Sequence, residues 1–416
     1  MYHCYLIFIL AAATLCGVVA VEPMPAQSAA RFVDSMGINV IVYDDERHET
    51  VTLPRLEELG IRHLRVGLRK AGHDDYRGEG AVILERTRGL GDAGYKLTGI
   101  FHCWYTMDEF MDICDALGPA LAQAEGPNEP WHKDQKFRWR DQGWPDGPKL
   151  FMQDLHAALR ERVTGGEVPI LSFSGSTSGY GSIEQWIDFG NEHIYPDGGR
   201  AITQDDQLAQ KIRRCRTTNY PTVPLQFTES GYNSGLGAKP GIRATSEWMQ
   251  ARGVPRLYLE AFRHGLHRLF IYALNARHDT GFSLLNDDGT PRQSFAALRD
   301  LVSLLGGAEQ EVASPGSLAL ELACAVPSVH SLLLRRGDGA FVLCVWNDVD
   351  GWNETDKTDI RNEEVPATLR FGLAPHSLTQ YRPCVDGLTA VATNNAPTTE
   401  LQLLVPDHPV VVIIEQ

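Results

Sequence analysis

The stretch Leu117–Trp131 reads LGPALAQAEGPNEPW, an apolar run that leads into a loop carrying a glutamate. Its apolar part, Leu117–Ala124, predicts a short strand that ends at Glu129. The same pattern occurs 100 residues later, where the strand-like run Val223–Thr228 is followed by Glu229. The sequence therefore places two carboxylates at the carboxyl ends of two predicted strands.

The chain around these stretches alternates between short β-rich runs and amphipathic segments, with glycine or proline between them. The predicted strands are Met36–Val42, Arg62–Gly67, Tyr95–Phe101, the run ending at Glu129, Val168–Ser174, Glu192–Tyr195, Val223–Thr228 and His267–Leu274. The predicted helices are Leu53–Leu59, Ala81–Leu90, Met107–Leu117, Lys149–Val163, Ile183–Phe189, Asp206–Arg216, Ala244–His264 (interrupted at Gly253 and Pro255) and Arg292–Leu305. This alternation predicts a (β/α)8 TIM barrel over residues 21–306. The alternative, a doubly wound open sheet, usually shows a glycine-rich fingerprint in its first turn, which this chain lacks.

After Gly306-Gly307 the helical periodicity stops, and residues 307–416 contain short runs separated by turns. The runs are Leu318–Cys324, Ser331–Arg335, Ala340–Trp346, Ala367–Phe371, Leu401–Leu404 and Val410–Ile414. They predict a small C-terminal antiparallel β-sandwich domain. We expect this domain to support the barrel, because it has no row of aromatic residues typical of a sugar-binding face.

The composition limits the classes of partner. The chain has 416 residues, 43% of them hydrophobic, and a formal net charge of −15. This length suits a barrel with an accessory module, and the acidic balance argues against nucleic acid or an anionic membrane as a partner. We expect a soluble monomer.

Residues 1–20 have the pattern of a secretory signal peptide, because Tyr5–Val19 is almost wholly apolar and Val18-Val19-Ala20 supplies small residues for cleavage. The segment before the apolar run carries no Lys or Arg, so an uncleaved signal anchor is the alternative. After cleavage the protein would be secreted, and its remaining cysteines could form disulfides whose pairing the sequence does not decide. These cysteines are Cys103, Cys114, Cys215, Cys324, Cys344 and Cys384.

Three motifs carry a family resemblance. Asn128-Glu129-Pro130 resembles the end of strand four in retaining glycoside hydrolases of clan A, and Thr228-Glu229-Ser230-Gly231 resembles the clan's strand-seven segment. The run Gly281–Pro291 is similar to the clan's connection between strand eight and the final helix. The motifs occur in order over residues 35–306, and families holding β-xylosidases and related endo-glycosidases come closest.

The resemblance implies that Glu129 is the general acid/base and Glu229 the nucleophile, with Asn128 binding the sugar 2-hydroxyl. Strands four and seven face each other across a TIM-barrel mouth, so the carboxylates could approach to the roughly 5–5.5 Å that retention needs. The acid then needs a raised pKa, and the nucleophile needs donors or a cation nearby. The alternative is two solvated loop glutamates in a chain with 53 acidic residues.

Four further residues are candidates for the site. Arg65 matches the clan's strand-two arginine and could supply the cation, although a barrel-wall arginine paired with another acid is the alternative. His193 and Tyr195 resemble the His-x-Tyr pair that holds the nucleophile, and a buried histidine with a packing tyrosine is the alternative. His102, after strand three, is a candidate contact for a sugar hydroxyl.

Aromatic residues near the predicted strand ends are candidates for stacking on sugar rings. We expect Trp131 and one of Trp104 and Tyr105 to bind substrate, with Tyr232 and Tyr272 as further candidates. Other tryptophans of the loop after strand four are expected to pack that loop down. The clan often places Trp at the end of strand eight, and this chain has Tyr272 there.

Other chemistries have weaker sequence support. Ser174-Gly175-Ser176 does not match the GxSxG elbow, HExxH is absent, and the histidines lack ligand spacing, so no cofactor or metal is expected. The sequence therefore predicts a secreted retaining glycoside hydrolase acting on a polysaccharide or oligosaccharide. Two alternatives stay open, a carbohydrate-binding barrel that has lost catalysis and a transglycosylase with the same residues.

Overall fold

The structure, a computed structural model, describes residues 21–43, 47–74, 79–133, 136–162, 168–174, 180–235, 243–276, 280–307 and 310–416. The predicted signal peptide, residues 1–20, lies outside the described residues. Within the described ranges, no helix is both long enough and apolar enough to cross a membrane.

The strands and helices are numbered in chain order. The strands are β1 Pro23–Pro25, β2 Gln27–Ser28, β3 Met36–Asn39, β4 His63–Gly67, β5 Lys96–Ile100, β6 Leu121–Glu125, β7 Ile170–Leu171, β8 Gly190–His193, β9 Leu225–Ser230, β10 Arg268–Ile271, β11 Ser317–Ala323, β12 Val329–Arg335, β13 Phe341–Asn347, β14 Trp352–Asn353, β15 Thr358–Asp359, β16 Val365–Phe371, β17 Ser377–Tyr381, β18 Ala390–Asn394, β19 Glu400–Val405 and β20 Val410–Glu415. The helices are α1 Ala29–Asp34, α2 Leu53–Leu59, α3 Gly80–Asp92, α4 Met107–Leu117, α5 Asp146–Arg162, α6 Gln207–Thr218, α7 Glu247–Arg263 and α8 Gln293–Leu304.

Strands β3 to β10 form one parallel sheet of eight strands in the order β7-β6-β5-β4-β3-β10-β9-β8. A bridge between Leu171 and Phe189 joins the two ends of this sheet and closes it into a barrel. Next to this bridge, the Ser172 N–H donates to the Phe189 carbonyl at 2.9 Å. The predicted TIM barrel is confirmed, and β3 to β10 are its strands one to eight.

The connection between β7 and β8 differs from the prediction. The expected helix Ile183–Phe189 is only a single 3-10 turn, Glu184–Trp186. The Glu184 carboxylate accepts hydrogen bonds from the N–H groups of Thr222 and Val223, at 2.6 and 2.9 Å. These bonds hold the turn against the loop before β9. Strand β8 begins soon after the turn, so too few residues are left for a full helix.

Helix α7 also differs from the prediction, because it runs unbroken through Gly253 and Pro255. An internal proline costs about 3 kcal/mol, but every residue from Met249 to Ala261 is buried, and packing offsets that cost. Gly253 is needed here, since a Cβ at this position would lie 2.3 Å from the ring of Tyr232.

The C-terminal domain is a sandwich of two sheets that includes the start of the chain; its strands pair antiparallel except for β2, which pairs parallel with β12. One sheet has the order β1-β11-β16-β19 and the other β18-β17-β20-β13-β12-β2. The assignment of residues 21–306 to the barrel therefore needs correction, because β1 pairs with β11 and β2 with β12. Both segments cover edge strands that would otherwise expose unpaired backbone groups.

Strand β13 shows how the sandwich joins the barrel, because all seven of its residues are buried. Val342, Cys344 and Trp346 belong to the core shared with the barrel, whereas Leu343 and Val345 belong to the core between the sheets. Alternate residues of a strand point to opposite faces. The continuous apolar run of β13 therefore reflects a sheet covered on both sides.

One face of α7 carries the polar part of this interface. Arg252, Arg256 and Glu260 are spaced four residues apart, so they lie on one side of the helix. Arg252 pairs with Asp407 of the sandwich, and Arg256 Nη1 donates to the Val349 carbonyl at 2.9 Å. The expected supporting role of the sandwich is consistent with this continuous buried interface.

The carboxylate of Glu260 is the most connected group of that interface. Its Oε1 accepts a hydrogen bond from Trp346 Nε1 at 2.8 Å and contacts His330, and its Oε2 accepts one from Arg263 at 2.6 Å.

The six cysteines that would remain after signal cleavage are free thiols in the structure. Burial raises the pKa of Cys215, Cys344 and Cys384 to about 12. These three thiols stay protonated at neutral pH and act as packing side chains.

We predict that Glu260→Ala lowers the free energy of unfolding by about 3–5 kcal/mol, because it leaves buried donors without their carboxylate. Urea denaturation measures this change. The control is Glu321→Ala, which removes a half-exposed carboxylate 3.4 Å from Arg370 and should cost about 1 kcal/mol or less. Equal losses in the two variants would contradict the interface described here.

Candidate active site

A pocket of about 440 Å³ opens where the barrel strands end at their carboxyl side. Most of the residues predicted for the site line this pocket. They are Arg65, His102, Trp104, Asn128, Glu129, Tyr195, Glu229 and Tyr272. The pocket therefore lies where TIM barrels carry their active sites.

Glu229 lies within β9 and is held by two donors. Its Oε1 accepts a hydrogen bond from Arg65 Nη1 at 2.7 Å, and its Oε2 accepts one from the Tyr195 hydroxyl at 2.8 Å. Burial and the nearby carboxylate of Glu229 raise the pKa of Tyr195 well above its usual value, so this phenol stays a donor. The side chain of Glu229 is only 13% exposed, and these two contacts fix the position of both its oxygens.

The guanidinium of Arg65, the middle residue of β4, connects the residues beneath the pocket. Its Nε and Nη2 donate to the two oxygens of Glu125 at 2.7 and 2.8 Å. Its Nη1 also donates to Asn39 at 2.9 Å, and its Nη2 to Asn128 at 2.7 Å. Burial opposes the charge, but Glu125 and Glu229 outweigh it and hold the pKa of Arg65 above its usual value.

Glu125 is a site residue that the sequence reasoning missed. It is fully buried at the end of β6, and it also accepts hydrogen bonds from Asn191 Nδ2 at 3.0 Å and the Thr228 hydroxyl at 3.1 Å. Asn39, which lines the pocket from β3, was missed as well. The available signal was a charged or amide side chain inside an otherwise apolar strand, since such groups are buried only with partners.

Glu129 lies in the loop after β6, which ends at Glu125 rather than at Glu129 as predicted. Its backbone has φ +43°, in the left-handed region that non-glycine residues rarely adopt. Its N–H donates to Ser174 Oγ at 2.8 Å, and its Oε1 lies 3.1 Å from His193 Nδ1. Strained backbone of this kind occurs preferentially at functional sites.

The two candidate carboxylates lie close together. One oxygen each of Glu129 and Glu229 and one ring nitrogen of His193 all lie within 4.8 Å of one another. Such donors could hold a metal ion, but Arg65 already places a positive charge on Glu229. A second such set among the described residues is Glu260, His330 and Asp348, where Arg263 and Trp346 already contact Glu260.

The pKa of Glu129 does not follow the expectation of a raised value. Burial raises this pKa, but the hydrogen bond and charge of His193, together with the charge of Arg65, outweigh burial and lower it. His193 is thus the neighbour with the largest lowering effect on this carboxyl, followed by Arg65 and His132.

Thr228 connects His193 to the residues beneath the pocket. Its hydroxyl can donate a single hydrogen bond, and it lies 2.9 Å from Asn191 Oδ1, 3.1 Å from Glu125 Oε1 and 3.2 Å from His193 Nε2. The His193 ring is therefore placed between Thr228 on one side and Glu129 on the other.

His102 and Trp104 form one wall of the pocket. His102 is buried and its ring lies 4.4 Å from that of Trp104, which is 42% exposed. Arg69 lies over the other part of this wall, with its guanidinium carbon 4.4 Å from the centre of the Trp104 ring. Arg69 and Tyr43 line the pocket and were missed by the sequence reasoning.

The remaining aromatic candidates differ in their position relative to the pocket. Tyr272 lines the pocket beside Phe282, whose ring centre is 5.9 Å away. Trp131 is 40% exposed on the loop of Glu129 but is not among the residues lining the pocket. Tyr105 is buried, so Trp104 is the member of that pair that faces the pocket.

The assignment of Tyr232 to substrate binding is wrong. Its side chain is 3% exposed, packs against Gly253 of α7, and donates from its hydroxyl to the Arg200 carbonyl at 2.9 Å. Tyr232 follows Gly231, and the chain there turns away from the pocket and under the helix. Trp139 and Trp144 pack their loop down as expected, against Phe151 and Phe173 respectively.

Comparison with known proteins supports the fold. No protein-family model matches the chain, and the search of curated proteins finds no match. The structure is similar to a GH30 endoxylanase from Clostridium papyrosolvens C71, with TM-score 0.55, 10% identity and coverage of 95% of this chain and 98% of that one. It is also similar to a GH51 arabinofuranosidase from Xanthomonas axonopodis pv. citri, with TM-score 0.57, 10% identity and coverage of 94% and 98%. At 10% identity this likeness shows the fold alone, and it agrees with the TIM barrel that the sequence predicted.

We predict that His193→Phe raises the pKa of Glu129, because it removes a hydrogen bond and a charge that lower this pKa, while burial, which raises it, remains. Carbon-13 NMR of labelled glutamate carboxyls measures this pKa, with Glu129→Gln identifying the resonance.

His376→Phe, which changes an exposed histidine of the sandwich, is the control and should leave the pKa unchanged. A pKa of Glu129 that stays the same or falls in His193→Phe would show that His193 does not control this carboxyl.

Proposed function

We propose that this protein is a retaining glycoside hydrolase acting on an oligosaccharide or polysaccharide. The observation that carries the proposal is the approach of Glu129 and Glu229, with carboxylate oxygens within 4.8 Å of each other at the barrel mouth. Retaining enzymes hold their two carboxyl groups about 5–5.5 Å apart, whereas inverting enzymes leave about 6.5–9.5 Å for a water molecule. The fold shared with the endoxylanase and the arabinofuranosidase is compatible with this activity.

In the proposed mechanism, Glu229 attacks the anomeric carbon and forms a covalent glycosyl-enzyme while the glycosidic bond breaks. Arg65 and Tyr195 hold the two oxygens of Glu229, so its position is fixed before substrate arrives. Glu129 gives its proton to the leaving oxygen. It then takes a proton from water, which attacks the anomeric carbon and releases the sugar with its original configuration.

The difference in exposure between the two carboxylates fits this division of roles. Glu229 is 13% exposed and has two donors, whereas Glu129 is 30% exposed and contacts a group that can exchange a proton. Asn128 precedes Glu129, and its Oδ1 accepts a hydrogen bond from Arg65. The amide N–H groups of Asn128 can therefore donate to a sugar hydroxyl.

Secretion is part of the proposal. It is supported by the apolar run Tyr5–Val19 and the small residues that follow it. Trp104 and Trp131 add exposed aromatic surface near the acid/base, which favours a substrate with several sugar rings.

We predict that the wild-type protein releases reducing sugar from at least one glycan in a panel of plant, algal, fungal and bacterial polysaccharides. Glu229→Gln should abolish release, and Glu129→Gln should reduce it by about 10²–10⁴-fold, the usual contribution of general acid–base catalysis. Proton NMR of the first product should show the anomeric configuration of the substrate retained.

Glu321→Gln, on the exposed surface of the sandwich, is the matched control and should keep full activity. Inversion at the anomeric carbon would contradict the retaining mechanism. Sugar binding without turnover would favour a binding barrel, and transfer to sugar acceptors in place of water would favour a transglycosylase.

We also predict a role for Glu125 in positioning Arg65. Glu125→Gln keeps the volume but faces Arg65 with an amide, so the arginine loses one of its two parallel hydrogen bonds. Because small displacements at a reacting centre are costly, kcat should fall by about 10²-fold with little change in KM. An unchanged kcat would show that Arg65 keeps its position without this carboxylate.

A further inference from the structure

A second pocket, of about 350 Å³, adjoins the candidate active site at the same end of the barrel. It lies between the loop that follows β3 and the loop that follows β10. Ile41 and Tyr43 line both pockets, so these two residues form the boundary between them.

We propose that this second pocket binds a sugar of the glycone, one ring beyond the sugar that Glu229 attacks. The proposal rests on the proposed function and makes it more specific. The substrate would be a glycan chain with at least two sugars on its glycone side, and the enzyme would discriminate against release of a single terminal sugar.

The barrel geometry gives the direction of the chain. Glu129 follows β6, and in the closed order of strands β10 lies four positions from β6, on the opposite side of the mouth. A general acid must lie beside the leaving oxygen, so the leaving group occupies the side of β6. The glycone therefore extends towards β10 and β3, where the second pocket lies.

The lining of the pocket suits a sugar ring. Val51 and Leu285 supply apolar contacts for ring C–H groups, and Tyr43 adds an aromatic side chain at the boundary. Asp287 is exposed and offers a carboxylate, while Arg47 offers guanidinium donors. The pocket thus combines polar and apolar side chains, which suits a sugar ring because the ring presents both hydroxyl and C–H groups.

Hydrogen bonds join the described parts of the two loops that form the pocket. The Asn275 side chain accepts from the Ile41 N–H at 3.0 Å and donates to the Ile41 carbonyl at 3.1 Å, which joins the two loops. Arg47 makes a second connection by donating to the Asp287 carbonyl. A site held in this way loses little conformational entropy when a sugar binds.

The test compares 4-nitrophenyl glycosides of single sugars with those of the matching disaccharides: xylose with xylobiose, and glucose with cellobiose and laminaribiose. The variants are Asp287→Ala, which removes an exposed acceptor, and Val51→Phe, which fills the pocket. Val82→Phe adds the same bulk to an exposed position on α3 and is the control. Thermal denaturation checks that each variant folds.

In the wild type and in Val82→Phe, kcat/KM should be at least tenfold higher for one disaccharide glycoside than for its single-sugar counterpart. Asp287→Ala and Val51→Phe should reduce that ratio by about tenfold and leave the single-sugar rate unchanged. A ratio that is the same in all variants, or faster cleavage of the single-sugar glycosides, would overturn the proposal.

A binding measurement separates this proposal from the proposed function. Calorimetry with xylohexaose, cellohexaose and laminarihexaose on Glu229→Gln, with and without Asp287→Ala, reports on the pocket without turnover. Weaker binding in the double variant supports the pocket even if hydrolysis fails. Equal affinity in both proteins, or no binding of any of the three, overturns it.

Discussion

The buried guanidinium of Arg65 is the interaction on which the site depends. It joins groups from four places in the barrel mouth: Asn39 on β3, Glu125 on β6, Asn128 after β6 and Glu229 on β9. One cation thus faces two acidic side chains, Glu125, which is fully buried, and Glu229, which is 13% exposed. A glycosidic transition state carries positive charge on the sugar ring, so this imbalance would favour it over the neutral substrate.

A chain of contacts connects that arrangement to the rest of the protein. Helix α7 contacts the sandwich through Arg252, Arg256 and Glu260, while Gln250 on the same helix donates to the carbonyls of Tyr232 and Gly281, at 2.9 and 3.2 Å. The loop of Gly281 continues into Phe282, which packs against Tyr195 with ring centres 5.4 Å apart. The sandwich is thus connected through one helix to a residue that holds the candidate nucleophile.

The sequence predicted the features that local pattern determines. These are the alternation of strands and helices, the sandwich after Gly306, and two glutamates that are distant in sequence but lie at the same end of the barrel. It did not predict features that depend on closure of the barrel or on distant pairing. Strand β1 pairs with β11, almost 300 residues away, and no local signal marks it. The contacts of Glu125 and Tyr232 also depend on the closed barrel. Only there does Glu125 face Arg65 and Tyr232 face α7.

The contact between Glu129 and His193 links the exposure of the pocket to the pKa of the candidate acid. Burial raises this pKa, but the hydrogen bond and charge of His193 and the charge of Arg65 outweigh burial and lower it. A sugar in the pocket would exclude water from Glu129, which is 30% exposed, and further burial raises the pKa of a carboxyl group. In the proposed mechanism this would move Glu129 towards the protonated form that the leaving oxygen needs. Binding energy from sugars beyond the reacting ring would in this way contribute to catalysis, because it holds the chain in place while the pocket loses its water.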